Sequence, residues 1–343
     1  MDSISLTRPD DWHLHLRDGD RLRSVVADTA ARFARAIVMP NLKPPVTTVA
    51  MAERYRDAIL DTCPEGSSFE PLMTLYMTAE TSVEEVERIA ASDHVVAIKL
   101  YPAGATTNSE AGVTGLEPLT EVFSAMARLG VPLLIHGEST DPEHDVFDRE
   151  AEFIAGPLTW LRETQPELKI VLEHITTADA VSWVRSAGPK TAATITAHHL
   201  LYNRNAIFKG GIRPHYYCLP ILKRERHREA LVEAATSGDA RFFLGTDSAP
   251  HPIDAKHSAC GCAGIYTAHA AIELYAEVFE EAGALDRLEG FASHHGPDFY
   301  GLPRNEERIT LVREPWTVAE TLEFGGERLI PLRAGEQVRW RLS

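Results

Sequence analysis

The sequence predicts an α/β protein, a TIM-type (β/α)8 barrel with a short β-containing C-terminal tail, on three observations. Eight short apolar, β-rich runs recur along the chain. The stretches between them are long enough for a helix, and several carry apolar residues at helical spacing. No glycine-rich dinucleotide loop follows the first run, as the open doubly wound alternative would have it. Alternation of strand and helix implies a parallel sheet, and eight such units in about 250 residues close economically into a barrel.

The runs, in order, are Trp12–Leu16 (WHLHL), Ala36–Pro40 (AIVMP), Pro71–Met77 (PLMTLYM), Val95–Tyr101 (VVAIKLY), Pro132–Gly137 (PLLIHG), Lys169–Ile175 (KIVLEHI), Ala192–Thr196 (AATIT) and Arg241–Thr246 (RFFLGT). Between them, SVEEVERIAA, EPLTEVFSAMARLG and ADAVSWVRSAG place apolar residues near i, i+3 and i+4, the last two with Gly at the end. From about Leu302 the pattern changes to RITLV, TLEFGGERLIPL with a Gly-Gly turn, and EQVRWRL. The expected organisation is therefore a barrel over residues 1–301 with a tail, 302–343, packed on it. A segment after the fourth run, Pro102–Thr114 (PAGATTNSEAGVT), has the composition of a mobile functional lid.

The 343 residues carry 34 Lys and Arg against 50 Asp and Glu, a formal charge of −16. Nucleic-acid affinity rests on clustered basic residues, and no basic block is present, so neither a nucleic acid nor an anionic membrane surface is expected as partner. No run approaches the roughly 18 apolar residues of a membrane span, and the first residues lack a basic region followed by an apolar stretch. The expected location is the cytoplasm. Four cysteines, Cys63, Cys218, Cys260 and Cys262, are too few for a disulfide framework in a chain of this length.

Polar residues close six of the eight strands: His13 and His15 on the first, Asn41 on the second, Lys99 on the fourth, His136 on the fifth, His174 on the sixth and Asp247 on the eighth. Active sites of parallel α/β barrels gather at that carboxyl end of the sheet. His13 and His15, two residues apart, share one face of a strand and can grip one metal ion. Joined by His136, His174 and Asp247, they form the imidazole and carboxylate set of a catalytic zinc site without thiolates. Lys99 has two functional readings: a Schiff base with a carbonyl substrate, or a carbamate made with carbon dioxide that bridges two metals. Five protein ligands are thin for two ions, which favours the bridging carbamate.

The segments DDWHLHLRDGD, MPNLKPPVTT, KLYPAGATTNS, LLIHGE, EHITT, YCLPILKRE and FLGTDSAPH resemble the dihydroorotases of the amidohydrolase superfamily, of the short single-chain bacterial type. The resemblance runs along nearly the whole chain. It implies two zinc ions per subunit, bridged by carboxylated Lys99 (N6-carboxylysine) and a hydroxide, with His13, His15 and Asp247 on the first ion and His136 and His174 on the second. It implies that Arg17, Asn41 and His251 hold the substrate carboxylate, that His136 contacts the substrate as well as the metal, that the backbones at Leu219 and Ala263 face the pyrimidine ring, and that Thr106 and Thr107 tip a loop closing over substrate. The implied reaction is the reversible closure of N-carbamoyl-L-aspartate to L-dihydroorotate in pyrimidine (UMP) biosynthesis, with Asp247 as proton carrier and a homodimer as the working form.

Other histidines and cysteines carry weaker signals. Cys260 and Cys262 lack a second thiol pair and read as loop packing. His198 and His199 read as surface or supporting groups, His294 and His295 as structural, and His144 as a solvated loop residue. Glu173, next to His174, is expected on the opposite strand face. Three rival functions remain on the residues alone. A Schiff-base lyase on Lys99 would be indifferent to chelators, a metal-free structural partner would lack ligands, and a hydantoinase or allantoinase would share the metal set. Arg17, Asn41 and the TTNS loop, with the resemblance, favour dihydroorotate.

Overall fold

The computed structural model describes residues 2–343. A short strand, β1 (Ser3–Thr7), precedes eight parallel strands: β2 (Asp10–Leu14), β3 (Arg35–Val38), β4 (Glu70–Tyr76), β5 (Val95–Leu100), β6 (Leu133–Ile135), β7 (Ile170–Leu172), β8 (Thr191–Ile195) and β9 (Phe242–Leu244). These eight form one sheet in sequential order from β2 to β9. The sheet is a nearly closed TIM-type barrel. Its seam joins β9 to β2 by a single parallel bridge, Leu14 with Ser248, and by backbone bonds from Asp247 N to His13 O and from His15 N to Ser248 O. Asp11 reinforces the seam, accepting from Thr246 N at 2.9 Å and Thr246 Oγ1 at 2.6 Å.

Helices connect the strands, and their starts follow the local sequence. Thr48, Ser82 and Thr177 cap the helices Val49–Leu60, Val83–Ala90 and Ala178–Ser186 by accepting a backbone N–H three residues on. Leu14, Val38, Leu75, Ile98, Ile135, Leu172 and Leu244 point outward into the core that these helices cover. A second apolar cluster fills the barrel itself. Trp12, Ile37, Met39, Leu72, Ala97, Leu134, Val171, Ala192 and Phe243 meet there, and Tyr300 stacks on Trp12 with ring centroids 4.5 Å apart.

Strand β2 contains a bulge, because Asp11 pairs with Ala36 and Leu14 with Val38, so one strand spends three residues where the other spends two. The extra residue lets Trp12 plug the barrel while His13 faces the same interior from the next position.

The C-terminal region contains the expected β structure. Strand β10 (Arg308–Val312) pairs antiparallel with Arg341–Leu342, and a hairpin joins Leu322–Phe324 to Glu327–Leu329 around Gly325 and Gly326. Strand β1, from the other end of the chain, also pairs with β10 in the same sheet. Among the described residues, no helix is long and apolar enough to cross a membrane.

Candidate active site

The strands that fill the barrel with apolar side chains carry polar ones two positions further on, at the carboxyl end. Ala97 leads to Lys99, Leu134 to His136, Val171 to Glu173, and Phe243 through Gly245 to Asp247, each step being the period of a strand. Gly245 is required there: a Cβ on it would lie 2.6 Å from the Thr194 Cβ and 3.2 Å from that of His13.

His13, His15 and Asp247 converge, with possible ligand atoms all within 4.8 Å of one another. Asp247 Oδ1 lies 3.1 Å from His15 Nε2 and 3.3 Å from His13 Nε2. The His174 ring sits 4.9 Å from that of His13 and 4.8 Å from that of His136. Lys99, wholly buried, reaches Glu173 Oε2 at 2.5 Å, and the same oxygen contacts His13 Nδ1.

One pocket is lined by His13, His15, Arg17, Asn41, Thr106, Thr107, His136, His174, Leu219, Asp247 and Ala263, together with Tyr101, Ala249 and Gly264. Of the residues singled out in the sequence, Lys99 lies behind this wall. His251 Nε2 accepts from Arg17 Nη2 at 3.0 Å, while Arg17 Nε donates to Pro250 O at 3.0 Å. The guanidinium is thereby fixed on one edge, and its Nη1 and remaining Nη2 donors stay available. Asn41 Nδ2 donates to Thr107 O at 3.0 Å, so the lid lies down over the pocket.

Electrostatics suit cation ligation. Burial lowers His15 to about 4 and holds His174 well below the ordinary imidazole value, so both are neutral and have a lone pair to give. His174 Nδ1 is buried without a hydrogen-bond partner. For Asp247, burial pushes the carboxyl up, but His13, His15 and His174 outweigh it and keep it an anion. Burial also lowers Lys99, against the pull of Glu173, which favours its neutral, nucleophilic amine.

Two expectations change, and one partner is new. Glu173 does not face away from the site: it follows Val171 in register and points inward, and His174 turns in beside it through a positive φ of 42°. That backbone turn is held by His174 N donating to Thr194 Oγ1 at 2.7 Å. Alternation counted forward from Val171 would have found Glu173. Secondly, of the surface and supporting roles expected for His198 and His199, the surface one falls: both are buried, and with Cys218 they form a second convergent trio. His199 is satisfied within the protein, accepting from Thr196 Oγ1 at 2.7 Å and donating to Pro220 O at 2.9 Å. The nearby ammonium groups of Lys223 and Lys256 oppose a cation beside Cys218, whose thiol burial raises to about 12. Thirdly, His136 gains a partner the sequence did not suggest, Glu138 Oε2 at 2.7 Å.

The class follows from the fold and a buried histidine and carboxylate cluster at the mouth. Residues 10–319 match the amidohydrolase family, and the chain belongs to it. The dihydroorotase of Nitrosomonas europaea is 63% identical, covering 100% of this chain and 99% of that one. The crystal structure of Campylobacter jejuni dihydroorotase is similar at 36% identity and a TM-score of 0.92, covering 100% of this chain and 98% of that one. The Saccharomyces cerevisiae dihydroorotase in complex with 5-fluoroorotic acid is similar at 32% identity and a TM-score of 0.93, covering 100% and 99%. Within the amidohydrolases the chain therefore stands among the dihydroorotases, metal-dependent hydrolases of a cyclic amide.

Proposed function

We propose that the enzyme closes N-carbamoyl-L-aspartate to L-dihydroorotate and water, reversibly and with zinc, as a step of de novo pyrimidine biosynthesis in the cytoplasm. The observation that carries this reading is the single pocket in which a cation-binding trio (His13, His15, Asp247) faces an anion-binding pair (Arg17, Asn41). A ring bearing one carboxylate and one scissile amide has those two needs.

His13, His15 and Asp247 would hold one zinc ion, His136 and His174 a second, and Lys99, carboxylated, would bridge them. Both ions, when bound, supply a Lewis acid for the ring carbonyl and acidify a water near neutral pH. The rest falls to this chain. Arg17 presents its free edge to the substrate carboxylate, a bidentate fit that a lysine lacks, and Asn41 and His251 complete the hold. In the hydrolytic direction Asp247 takes the proton of the attacking water as the C–O bond forms. It then delivers that proton to the ring nitrogen as the C–N bond breaks, a base and then an acid. The backbones at Leu219 and Ala263 border the ring, and Thr106 and Thr107 cover it, excluding water. We further propose a homodimer, and a barrel over residues 1–301 with residues 302–343 as a tail packed on it. Contacts such as Arg339 N to Glu277 Oε1 at 2.7 Å support that packing.

The test is dihydroorotate ring opening, followed by loss of ultraviolet absorbance, before and after chelation and zinc restoration. Turnover lost to chelator and returned by zinc is expected. No turnover in protein shown to hold two zinc ions would redirect the assignment to another cyclic amide. Ring closure turns a carboxylate into an amide and consumes a proton. Above the carboxyl pKa of about 4, the equilibrium ratio therefore shifts toward the open form about tenfold per pH unit. A ratio that stays constant between mildly acidic and mildly alkaline buffer would refute the assigned reaction.

A further inference from the structure

The lid Pro102–Thr114 is stiff within itself and lightly held from outside. Ser109 is buried and knits the tip together, its Oγ accepting from Thr106 N at 2.8 Å and donating to Thr106 O at 2.6 Å. Ser109 O accepts from Gly104 N at 3.1 Å and Gly112 N at 3.0 Å. The base is pinned by Ala103 N to Val113 O and Val113 N to Tyr101 O, both 2.9 Å. A Cβ at Gly112 would lie 2.3 Å from Tyr101 O, so the base closes only around glycine. Such a segment moves as a plate about its ends.

What holds the plate down is concentrated on one residue. Asn41 Nδ2 donates to Thr107 O at 3.0 Å, and Asn108 Nδ2 donates back to Asn41 O at 3.0 Å. The remaining tip contacts are at the limit of a hydrogen bond: Thr107 Oγ1 to Ala263 O at 3.4 Å and Tyr76 Oη to Asn108 O at 3.5 Å. Asn108 has φ +57°, a left-handed conformation that Asn tolerates better than most residues. This position therefore demands both an unusual backbone and an amide donor.

We propose that Asn108 is a positioning residue for the reaction, the latch that holds Thr106 and Thr107 over the pocket by clasping the backbone of Asn41. The proposal rests on the reading of this pocket as the substrate site. Under that reading Asn41 has two amide hydrogens, one committed to the lid at Thr107 O and one free for the substrate carboxylate. A single side chain thus joins substrate to lid, and Asn108 supplies the return bond that keeps them in register.

The test uses the full-length zinc enzyme and two variants. Asn108→Gly keeps the left-handed backbone and deletes the donor. Asn108→Asp keeps the side-chain volume without an N–H to donate, which separates loss of the bond from added glycine flexibility. Both should raise KM for dihydroorotate by about two- to twelvefold, the factor one neutral hydrogen bond contributes, with kcat within about twofold of the parent. Both should also speed cleavage after the exposed Glu110 by a glutamate-specific protease, followed by mass spectrometry of that one peptide bond. Parental KM and parental Glu110 cleavage in either variant would overturn the latch, as would a fall in kcat at unchanged KM. If even the parent fails to turn over dihydroorotate, the substrate reading falls, and the Glu110 cleavage comparison still decides the latch.

Discussion

Floor and mouth of this barrel are built by the same strands, often two residues apart, yet they behave as different materials. At the floor, Trp12, Leu134, Val171 and Phe243 fill the lumen with apolar volume, and Tyr300 lies flat against Trp12. At the mouth, Lys99, His136, Glu173 and Asp247 are also buried but each pairs with another titratable group, and His174 packs against the rings of His13 and His136. Burial stabilises the first set through the hydrophobic effect and costs the second set its hydration. Stability is therefore concentrated at one end of each strand and reactivity at the other, and only a pair of mutually neutralising charges, or a bound cation, makes the mouth tolerable.

Four perturbations break or sharpen that contrast, in descending order of effect. Asp247→Asn should cut kcat/KM by about a thousandfold or more, since under the proposed function it removes the proton carrier and a ligand together. Compared in chelated protein, so that lost zinc does not enter, its stability should fall by less than that of a floor variant; an equal or larger drop would mean the mouth carries stability as well as chemistry. Phe243→Ala at the floor should show the reverse, losing about 3–5 kcal/mol in chemical unfolding while the folded enzyme keeps a near-parental kcat. A variant of parental stability would refute the assignment of stability to the floor.

Glu150→Gln probes a brace between the two extremes. The Glu150 carboxylate accepts from Thr176 N at 2.9 Å, Thr176 Oγ1 at 2.8 Å and Thr177 Oγ1 at 2.5 Å, pinning the turn just after His174. Replacing one oxygen by an amide should cost about 1–3 kcal/mol and weaken zinc retention about 10- to 100-fold, measured by competition with a chromophoric chelator. Unaltered zinc retention would leave Glu150 with a purely local role.

The last test, with the smallest effect expected on turnover, is a pH dependence at the seam. Burial pushes Asp11 up to about 7 from an ordinary 3.8, against the hydrogen bonds from Thr246 and His13. Between those values the unfolded chain gives up a proton that the folded one keeps, so parental stability falls as pH rises from about 4 to about 7 and is flat above. Asp11→Asn resembles the protonated acid and lacks this term. In chelated protein, the stability difference between variant and parent should grow across that window; a constant difference would show that Asp11 is ionised in the folded state.

Much of the site was legible because a strand end is a local event. A run of apolar residues closing on His, Lys or Asp declares both the strand and the direction of its mouth, and His13 and His15 share a face by period alone. Glu173 was misplaced because the backbone at His174 leaves the strand period through a positive φ, a feature no residue type at that position announces. For His198 and His199 the sequence left surface and supporting roles open, because their burial comes from what packs over them, not from their own neighbours in sequence. The pairing of β1 with β10 was not read at all, since a five-residue strand at one end carries no signal for a partner some 300 residues away.

The sequence by itself determined the eight-unit alternation, the β-rich end, the net acidic charge and the identity of the residues that close the strands. These depend on composition and on periods of two and 3.6, which short stretches of chain carry intact. Only the tertiary structure decided which of those residues meet: that the bulge in β2 lets Trp12 and His13 both face inward, that His251 braces Arg17, and that Asn41 and Asn108 clasp the lid. Those contacts join residues tens to hundreds of positions apart and are set to within about an ångström by close packing of the whole barrel, information that no local stretch of the chain contains.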